Sequence, residues 1–116
     1  MSHVGVNIGA LTVKVAAVRG DTRMAKVAAH QGRPLQVLRE VLAGSEFADA
    51  ESFGVSGQLG HITEVAAIQR ALNGVDGTFD AVASLGGESF LVYLLRDGKI
   101  THVLSHNKCA AGSGEF

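Results

Sequence analysis

Alternating apolar and polar positions divide the first thirty residues into three predicted β-strands. They cover residues 4–8, 11–18 and 24–30, and the second is rich in β-branched residues. Gly9 follows the first strand, and the turn-forming residues 19–21 (RGD) follow the second. Because the connections are very short, we expect the three strands to form an antiparallel meander.

The next part of the chain changes to helical spacing. Pro34 suits the first turn of a helix, apolar residues then recur three and four positions apart, and Gly44 marks the end. Residues 53–55 are predicted to form a short strand, followed by a loop at residues 56–60. Helical spacing returns over residues 62–72, just before an Asn-Gly pair, and predicts a second helix there.

From residue 80 onward the pattern is strand-like again and begins to repeat the start of the chain. Strands are predicted over residues 81–85, 89–95 and 100–104, and the Asp-Gly pair at 97–98 favours a tight hairpin turn. A glycine turn again separates the first two strands, which indicates a second copy of one strand-turn-strand unit. We therefore predict an α/β chain with a first subdomain at residues 1–78 and the truncated start of a second at 79–116.

The composition indicates one small chain that folds around an apolar core. Hydrophobic residues make up 47% of the 116 positions, and the mean hydropathy is +0.24, which argues against disorder. Ten basic and eleven acidic residues give a formal net charge of −1 with no basic run, so we expect no nucleic-acid partner. No apolar stretch approaches the ~20 residues that cross a bilayer, and a single cysteine suits a reducing compartment. We expect a cytoplasmic protein with no membrane partner.

Two glycine turns, at residues 7–12 and 84–89, are the candidates for chemistry. Successive backbone N–H groups in such a turn can point at one spot and bind phosphate. Either turn alone is explained as well by a tight strand reversal, whereas two at equivalent places favour a nucleotide held from both sides. The loop at 56–60 either reaches toward that nucleotide or a dimer interface, or simply connects a strand to a helix. The residues that we assign to nucleotide binding are Asn7, Gly9, Ala10, Leu11, Thr12, Lys14, Gly86, Gly87 and Glu88.

These turns resemble the phosphate motifs of the BadF/BadG/BcrA/BcrD-type ATPases, which belong to the acetate-kinase, sugar-kinase, Hsp70 and actin superfamily. Residues 7–14 (NIGALTVK) are similar to the first motif and residues 84–89 (SLGGES) to the second, while residues 62–65 (ITEV) resemble the helix after the first-domain glycine loop. Residues 107–116 (NKCAAGSGEF) are similar to the Cys-Ala-Ala-Gly-Thr-Gly-Arg-Phe signature of the activators of 2-hydroxyacyl-CoA dehydratases and benzoyl-CoA reductases. The resemblance implies an RNase H-like module with the first strands of a second module. Because family members are more than twice as long, it also implies that the chain is an N-terminal fragment.

The resemblance further implies an ATP-dependent activator that passes a low-potential electron to a CoA-thioester enzyme. Members of the family use ATP and Mg²⁺, form homodimers, and share one [4Fe–4S] cluster between the two subunits. Their partner is a 2-hydroxyacyl-CoA dehydratase or a benzoyl-CoA reductase-type enzyme. Cys109 matches a cluster-ligating cysteine of the signature, and thiolates are the usual ligands of such clusters. One cysteine per chain gives a homodimer only two thiolates where four are usual, so we expect this chain alone to lack the cluster.

Departures from the family pattern leave two alternatives open. Asn7 and Ser84 stand where the family usually has aspartates that help to order Mg²⁺ and the attacking water, and Ser89 and Glu115 also differ. Since neither Asn7 nor Ser84 carries a charge, we assign no catalytic residue and expect the isolated chain to be inactive. The first alternative is a non-catalytic, ATPase-like interaction or dimerisation domain. The second is a sugar kinase-like phosphotransferase, although such an enzyme has no evident need for Cys109.

Overall fold

A computed structural model describes residues 1–86 and 90–106 of the chain. By its internal contacts the chain divides into two units, Met1–Glu64 and a second unit that begins at Val65. Residues 87–89 and 107–116 lie outside the described residues, and with them lie Gly87, Glu88, Cys109 and the predicted start of a last helix. The subdomain boundary predicted between residues 78 and 79 stays a prediction.

The first unit is built on a four-stranded sheet in the order β3-β2-β1-β4. β1 (Ser2–Ile8), β2 (Thr12–Arg19) and β3 (Thr22–Ala29) pair antiparallel, which confirms the predicted meander. β4 (Ala50–Gly57) lies parallel to β1 on its other side. β1 therefore has a hydrogen-bonded neighbour on both sides, and its end is flanked by the β1–β2 turn and by the end of β4.

Strict alternation along β1 and β2 gives this sheet one apolar face. The core consists of residues that are at most 6% exposed, namely Val4, Val6, Ile8, Val13, Val15, Ala17 and Phe47. Helix α1 (Pro34–Leu42) covers them with one side, through Val37, Leu38, Val41 and Leu42. Each such aliphatic side chain contributes about 1.5–3 kcal/mol when it is fully buried. The intervening positions, which include Asn7 and Lys14, project from the opposite face.

Among the differences from the expected elements, three have a structural explanation. β4 extends well beyond the predicted residues 53–55, because β1 offers hydrogen bonds along almost its whole length. A short 3₁₀ helix, Ser45–Phe47, precedes β4 and was not predicted; it brings Phe47 into the core. Helix α2 (Glu64–Leu72) begins two residues after the predicted start, because the Ile62 N–H donates to the Val55 carbonyl at 3.0 Å and so continues the sheet.

The second unit contains most of α2 and an antiparallel sheet in the order β5-β6-β7. Its strands are β5 (Ala81–Leu85), β6 (Phe90–Arg96) and β7 (Lys99–His106), so its topology repeats the meander of the first unit. The φ angles of +54° at Asp97 and +78° at Gly98 match the tight turn predicted from this pair. Gln69 ties α2 to that hairpin, because its amide donates to the Gly98 carbonyl at 2.7 Å and accepts from the Ile100 N–H at 2.9 Å.

In the described ranges the two α-helices have nine residues each and the 3₁₀ helix is shorter, so no helix there is long and apolar enough to cross a membrane.

Candidate functional site

The first glycine turn lies at the edge of the sheet where two parallel strands end together. β1 ends at Ile8 and β4 at Gly57, and these residues are partners in the strand register. The chain then turns through residues 9–11 into β2, and the Gly9 N–H donates to the Thr12 carbonyl at 2.9 Å. Ligands of open α/β sheets bind outside the carboxyl ends of the strands, which is where this turn stands.

Four polar side chains meet beside Gly9. Asn7 on β1 is the register partner of Lys14 on β2 and of Ser56 on β4. The Asn7 Nδ2 donates to the Ser56 hydroxyl at 3.0 Å, and the Lys14 Nζ donates to the Thr12 hydroxyl at 2.8 Å. A Cβ atom placed on Gly9 would lie 3.5 Å from the Thr12 carbonyl oxygen, 3.6 Å from Lys14 Nζ and 4.0 Å from Asn7 Oδ1. The missing side chain of Gly9 therefore leaves space next to an ammonium group and an amide oxygen.

Two further glycines let the loop after β4 pack against this edge. A Cβ atom on Gly57 would lie only 2.2 Å from the Ile8 carbonyl oxygen, and its φ of +83° also favours glycine. A Cβ atom on Gly60 would lie 2.6 Å from the Val55 carbonyl oxygen. The Gln58 N–H donates to the Ile8 carbonyl at 2.8 Å, so the loop after β4 begins in contact with the end of β1. Residues 56 and 57, which were predicted to lie in this loop, belong to β4.

The buried imidazole of His30 contacts the first turn from the side of β3. His30 is 5% exposed, and its Nε2 lies 2.9 Å from the Gly9 carbonyl oxygen. The backbone N–H of His30 also donates to the Leu11 carbonyl at 3.0 Å. Neither His30 nor the contact of Ser56 with Asn7 was predicted. The only sequence signal for His30 was its place at the end of a strand, which says nothing about a contact 21 positions away.

Two carboxyl groups with lowered pKa values, those of Asp49 and Glu46, lie away from the first turn, toward the opposite end of the sheet. Asp49, next to the start of β1, accepts hydrogen bonds from Arg19 and from the Ser2 hydroxyl, and these contacts lower the pKa of its carboxyl. A hydrogen bond from Lys26 likewise lowers the pKa of Glu46. These ion pairs join Arg19, at the end of β2, and Lys26, within β3, to the region of the 3₁₀ helix, and neither involves Lys14 at the first turn.

The described residues offer no ready-made metal centre. Within residues 1–86 and 90–106, no group of three or more His, Cys, Asp or Glu side chains lies close enough to hold a metal ion. Cys109, to which the resemblance assigns a cluster ligand, lies outside that part of the chain. At the first turn the Lys14 ammonium and the Thr12 hydroxyl can donate to an anion, whereas Asn7, Thr12, Lys14 and Ser56 include no carboxylate of the kind that usually binds Mg²⁺.

The structure brings together the predicted residues of the first turn only. Gly86 follows β5 and is exposed, whereas Gly87 and Glu88 lie outside the described residues. The second turn belongs to the second unit, so the expectation that the two turns hold one nucleotide between them stays a prediction.

Solved structures share this fold, although no family model and no curated protein sequence matches the chain. The activator of 2-hydroxyisocaproyl-CoA dehydratase from Clostridium difficile with bound ADPNP has a TM-score of 0.73 and 20% identity over 95% of this chain and 47% of its own. Component A of the (R)-2-hydroxyglutaryl-CoA dehydratase from Acidaminococcus fermentans has a TM-score of 0.63 and 18% identity, over 98% of this chain and 50% of its own. The ethanolamine utilization protein EutJ from Carboxydothermus hydrogenoformans has a TM-score of 0.59 and 15% identity, over 98% of this chain and 57% of its own.

These similarities establish the fold. They confirm the expected α/β class and the fold expected of an RNase H-like module. Dehydratase activators are among the proteins with this fold, in agreement with the resemblance found in the sequence. The chain spans about half the length of these activators.

Proposed function

We propose that this chain is the nucleotide-binding part of an ATP-dependent activator of CoA-thioester enzymes, and that its first turn holds nucleotide phosphate. The observation that supports the proposal is the space beside Gly9, bordered by Lys14 Nζ and Asn7 Oδ1, at the carboxyl end of β1. The same fold occurs in an activator that was solved with bound ADPNP.

The chemistry of the turn suits a phosphate group. The Lys14 ammonium is a compact positive charge with three donors, and it uses one on Thr12. Because the Thr12 hydroxyl accepts that bond, its own proton is available for a phosphate oxygen. Charge-assisted bonds of this kind are about twice as strong as neutral ones.

The proposal extends to the complete activator. There the second turn, with Gly86, Gly87 and Glu88, holds the nucleotide from the other side. The activator is a homodimer that uses Mg²⁺ and ATP to drive an electron to a 2-hydroxyacyl-CoA dehydratase or a benzoyl-CoA reductase-type enzyme. Cys109 would hold a [4Fe–4S] cluster through its thiolate, and such a cluster would supply one-electron chemistry. Two copies of this chain would supply two of the four usual thiolates.

Calorimetric titration of the chain with ADPNP tests the proposal. We expect saturable binding by the wild type and about tenfold weaker binding by Lys14→Gln, which corresponds to about 1.4 kcal/mol. Arg23→Gln is the matched control, because it removes the same charge from an exposed position on β3. No binding by the wild type at millimolar ADPNP, or equal losses in the two variants, would overturn the proposal.

One observation favours a second candidate, a module that binds nucleotide without hydrolysing it. The side chain of Asn7 is neutral and its amide is engaged with Ser56, so this position adds no negative charge for a cation. Phosphate release measured beside ATP binding tests whether this chain hydrolyses the nucleotide that it binds. Release above that of Lys14→Gln would exclude the non-catalytic module, which is expected to bind ATP without release.

A further inference from the structure

We infer that His30 is a positioning residue for phosphate: its imidazole fixes the peptide group that presents a backbone N–H to the ligand. This inference rests on the proposed function of the first turn and adds a residue that neither the motif nor the resemblance assigns.

All four polar groups of His30 have partners. The ring Nε2 lies 2.9 Å from the Gly9 carbonyl oxygen, and Nδ1 lies 3.1 Å from the Gly32 nitrogen. The backbone N–H of His30 donates to Leu11, and its carbonyl accepts from the Arg33 N–H at 2.8 Å. Because a backbone N–H can only donate, Nδ1 is the acceptor from Gly32, and the geometry assigns the ring hydrogen to Nε2. Nε2 therefore donates to the Gly9 carbonyl.

This bond determines which way the next peptide N–H points. The described part of the chain contains no cis peptide bond, so the carbonyl of Gly9 and the N–H of Ala10 point in opposite directions in one plane. With the carbonyl held on His30, the Ala10 N–H points away from the imidazole. In the described part of the chain, the N–H groups of Ala10 and Leu11 donate to no protein acceptor, which leaves both for an anion.

Little else holds the Gly9–Ala10 peptide in this orientation. Within the turn, the backbone bond from Gly9 to Thr12 fixes the peptide before Gly9 rather than the one after it. Glycine has no Cβ, so it allows the following peptide to rotate with little steric resistance. A rotated peptide would present its carbonyl oxygen where the N–H had been, and that oxygen would repel phosphate.

The ring is not needed to connect β3 to α1. Gln31 and Gly32 have φ angles of +48° and +78°, which form a tight turn closed by the backbone bond between Arg33 and His30. That bond joins backbone atoms only, so a substitution at position 30 leaves both of its partners in place. The effect of substituting the imidazole is therefore expected at its two ring contacts, the Gly9 carbonyl and the Gly32 N–H.

Calorimetry with ADPNP and amide NMR of the whole 116-residue chain test the inference. His30→Gln keeps an N–H donor at about the distance of Nε2. His30→Asn keeps the same amide one carbon shorter, so it cannot reach Gly9. We expect ADPNP to bind His30→Asn about tenfold more weakly than the wild type, and His30→Gln within about threefold of it. The Ala10 amide resonance should shift on ADPNP addition in the wild type and His30→Gln only.

His3→Asn is the matched control, because it removes the imidazole that contacts Ser52 and Glu51 at the beginning of β1. We expect it to leave ADPNP binding unchanged. Far-UV circular dichroism tests whether each variant is folded. If His30→Asn does not fold, the inference is tested by the shift of the Ala10 amide resonance in the wild type and in His30→Gln. Wild-type binding with equal affinity in His30→Asn, or without a shift at Ala10, would overturn the role of His30 alone. Absence of wild-type binding would overturn the proposed function as well.

Discussion

Asn7 donates a 3.0 Å hydrogen bond from its Nδ2 to the hydroxyl of Ser56, across the parallel pair formed by β1 and β4. The bond links the ends of both strands at the first turn. The resemblance implies an aspartate at position 7, and the amide maintains a link between the strands without that negative charge. One substitution at position 7 can therefore change how strongly nucleotide binding depends on a cation.

Asn7→Asp should make nucleotide binding respond to Mg²⁺. The Ser56 hydroxyl can rotate and donate to the new carboxylate, so the strands stay linked while a ligand for a hard cation is added. We expect Mg²⁺ to strengthen ADPNP binding about tenfold in Asn7→Asp and less than about twofold in the wild type. Asn73→Asp, an equal change at an exposed position after α2, is the control for calorimetry. An equal response to Mg²⁺ in both variants would refute the prediction.

Gly57→Ala should destabilise the first unit through a clash with backbone. A Cβ atom there would meet the Ile8 carbonyl oxygen, and the positive φ adds strain, so we expect a loss of about 3 kcal/mol or more in the free energy of unfolding. Gly20→Ala is the matched control, since its φ is +59° but nothing lies within 4 Å. We expect it to cost about 1–2 kcal/mol in urea denaturation. Similar losses of stability in the two variants would show that the close approach of Gly57 to Ile8 does not add to the cost of the substitution.

Val13→Ala should measure the contribution of the apolar face. Val13 is 0% exposed in the core, so its truncation removes buried methyl groups and leaves a cavity. We expect a loss of about 2 kcal/mol in the free energy of unfolding. The same change at Val27, which is 65% exposed on β3, should stay within about 0.5 kcal/mol. If Val27→Ala is as costly as Val13→Ala in urea denaturation, the assignment of the two faces is wrong.

Asp49→Asn should reduce the loss of stability in acid. The hydrogen bond from Arg19 lowers the pKa of Asp49 in the folded chain, so folding favours the ionised carboxyl. This stabilisation is complete above the ordinary pKa of 3.8 and is lost as the pH falls through the lowered native value. The wild type should therefore be more stable than Asp49→Asn at pH 7, and the difference should shrink below about pH 4.

Urea midpoints measured between pH 7 and pH 2 check this expectation. Asp76→Asn removes an equal charge from an exposed position outside the contact with Arg19, and should leave the midpoints close to those of the wild type. A difference between the wild type and Asp49→Asn that does not change with pH would contradict the role of this ion pair.

Several elements were predictable because their signals are local. The alternation in β1 and β2, the position of Pro34 and the Asp-Gly pair at residues 97–98 each act within a few residues, and the corresponding strands, helix and turn are present. The grouping of Asn7, Gly9, Thr12 and Lys14 was predictable for the same reason, since one hairpin brings them together. β4 was predicted too short because its length depends on pairing with β1, about 50 residues away.

The sequence alone determined the antiparallel meander, the apolar positions of its core and a glycine turn that carries a cation and a hydroxyl group. Only the tertiary structure decided that His30 contacts Gly9 and that Ser56 contacts Asn7, over separations of 21 and 49 residues. The physical reason is that strand and turn preferences act between neighbours in the chain. A side chain's distant partner depends instead on strand order and register, which are set when the whole sheet buries its apolar face.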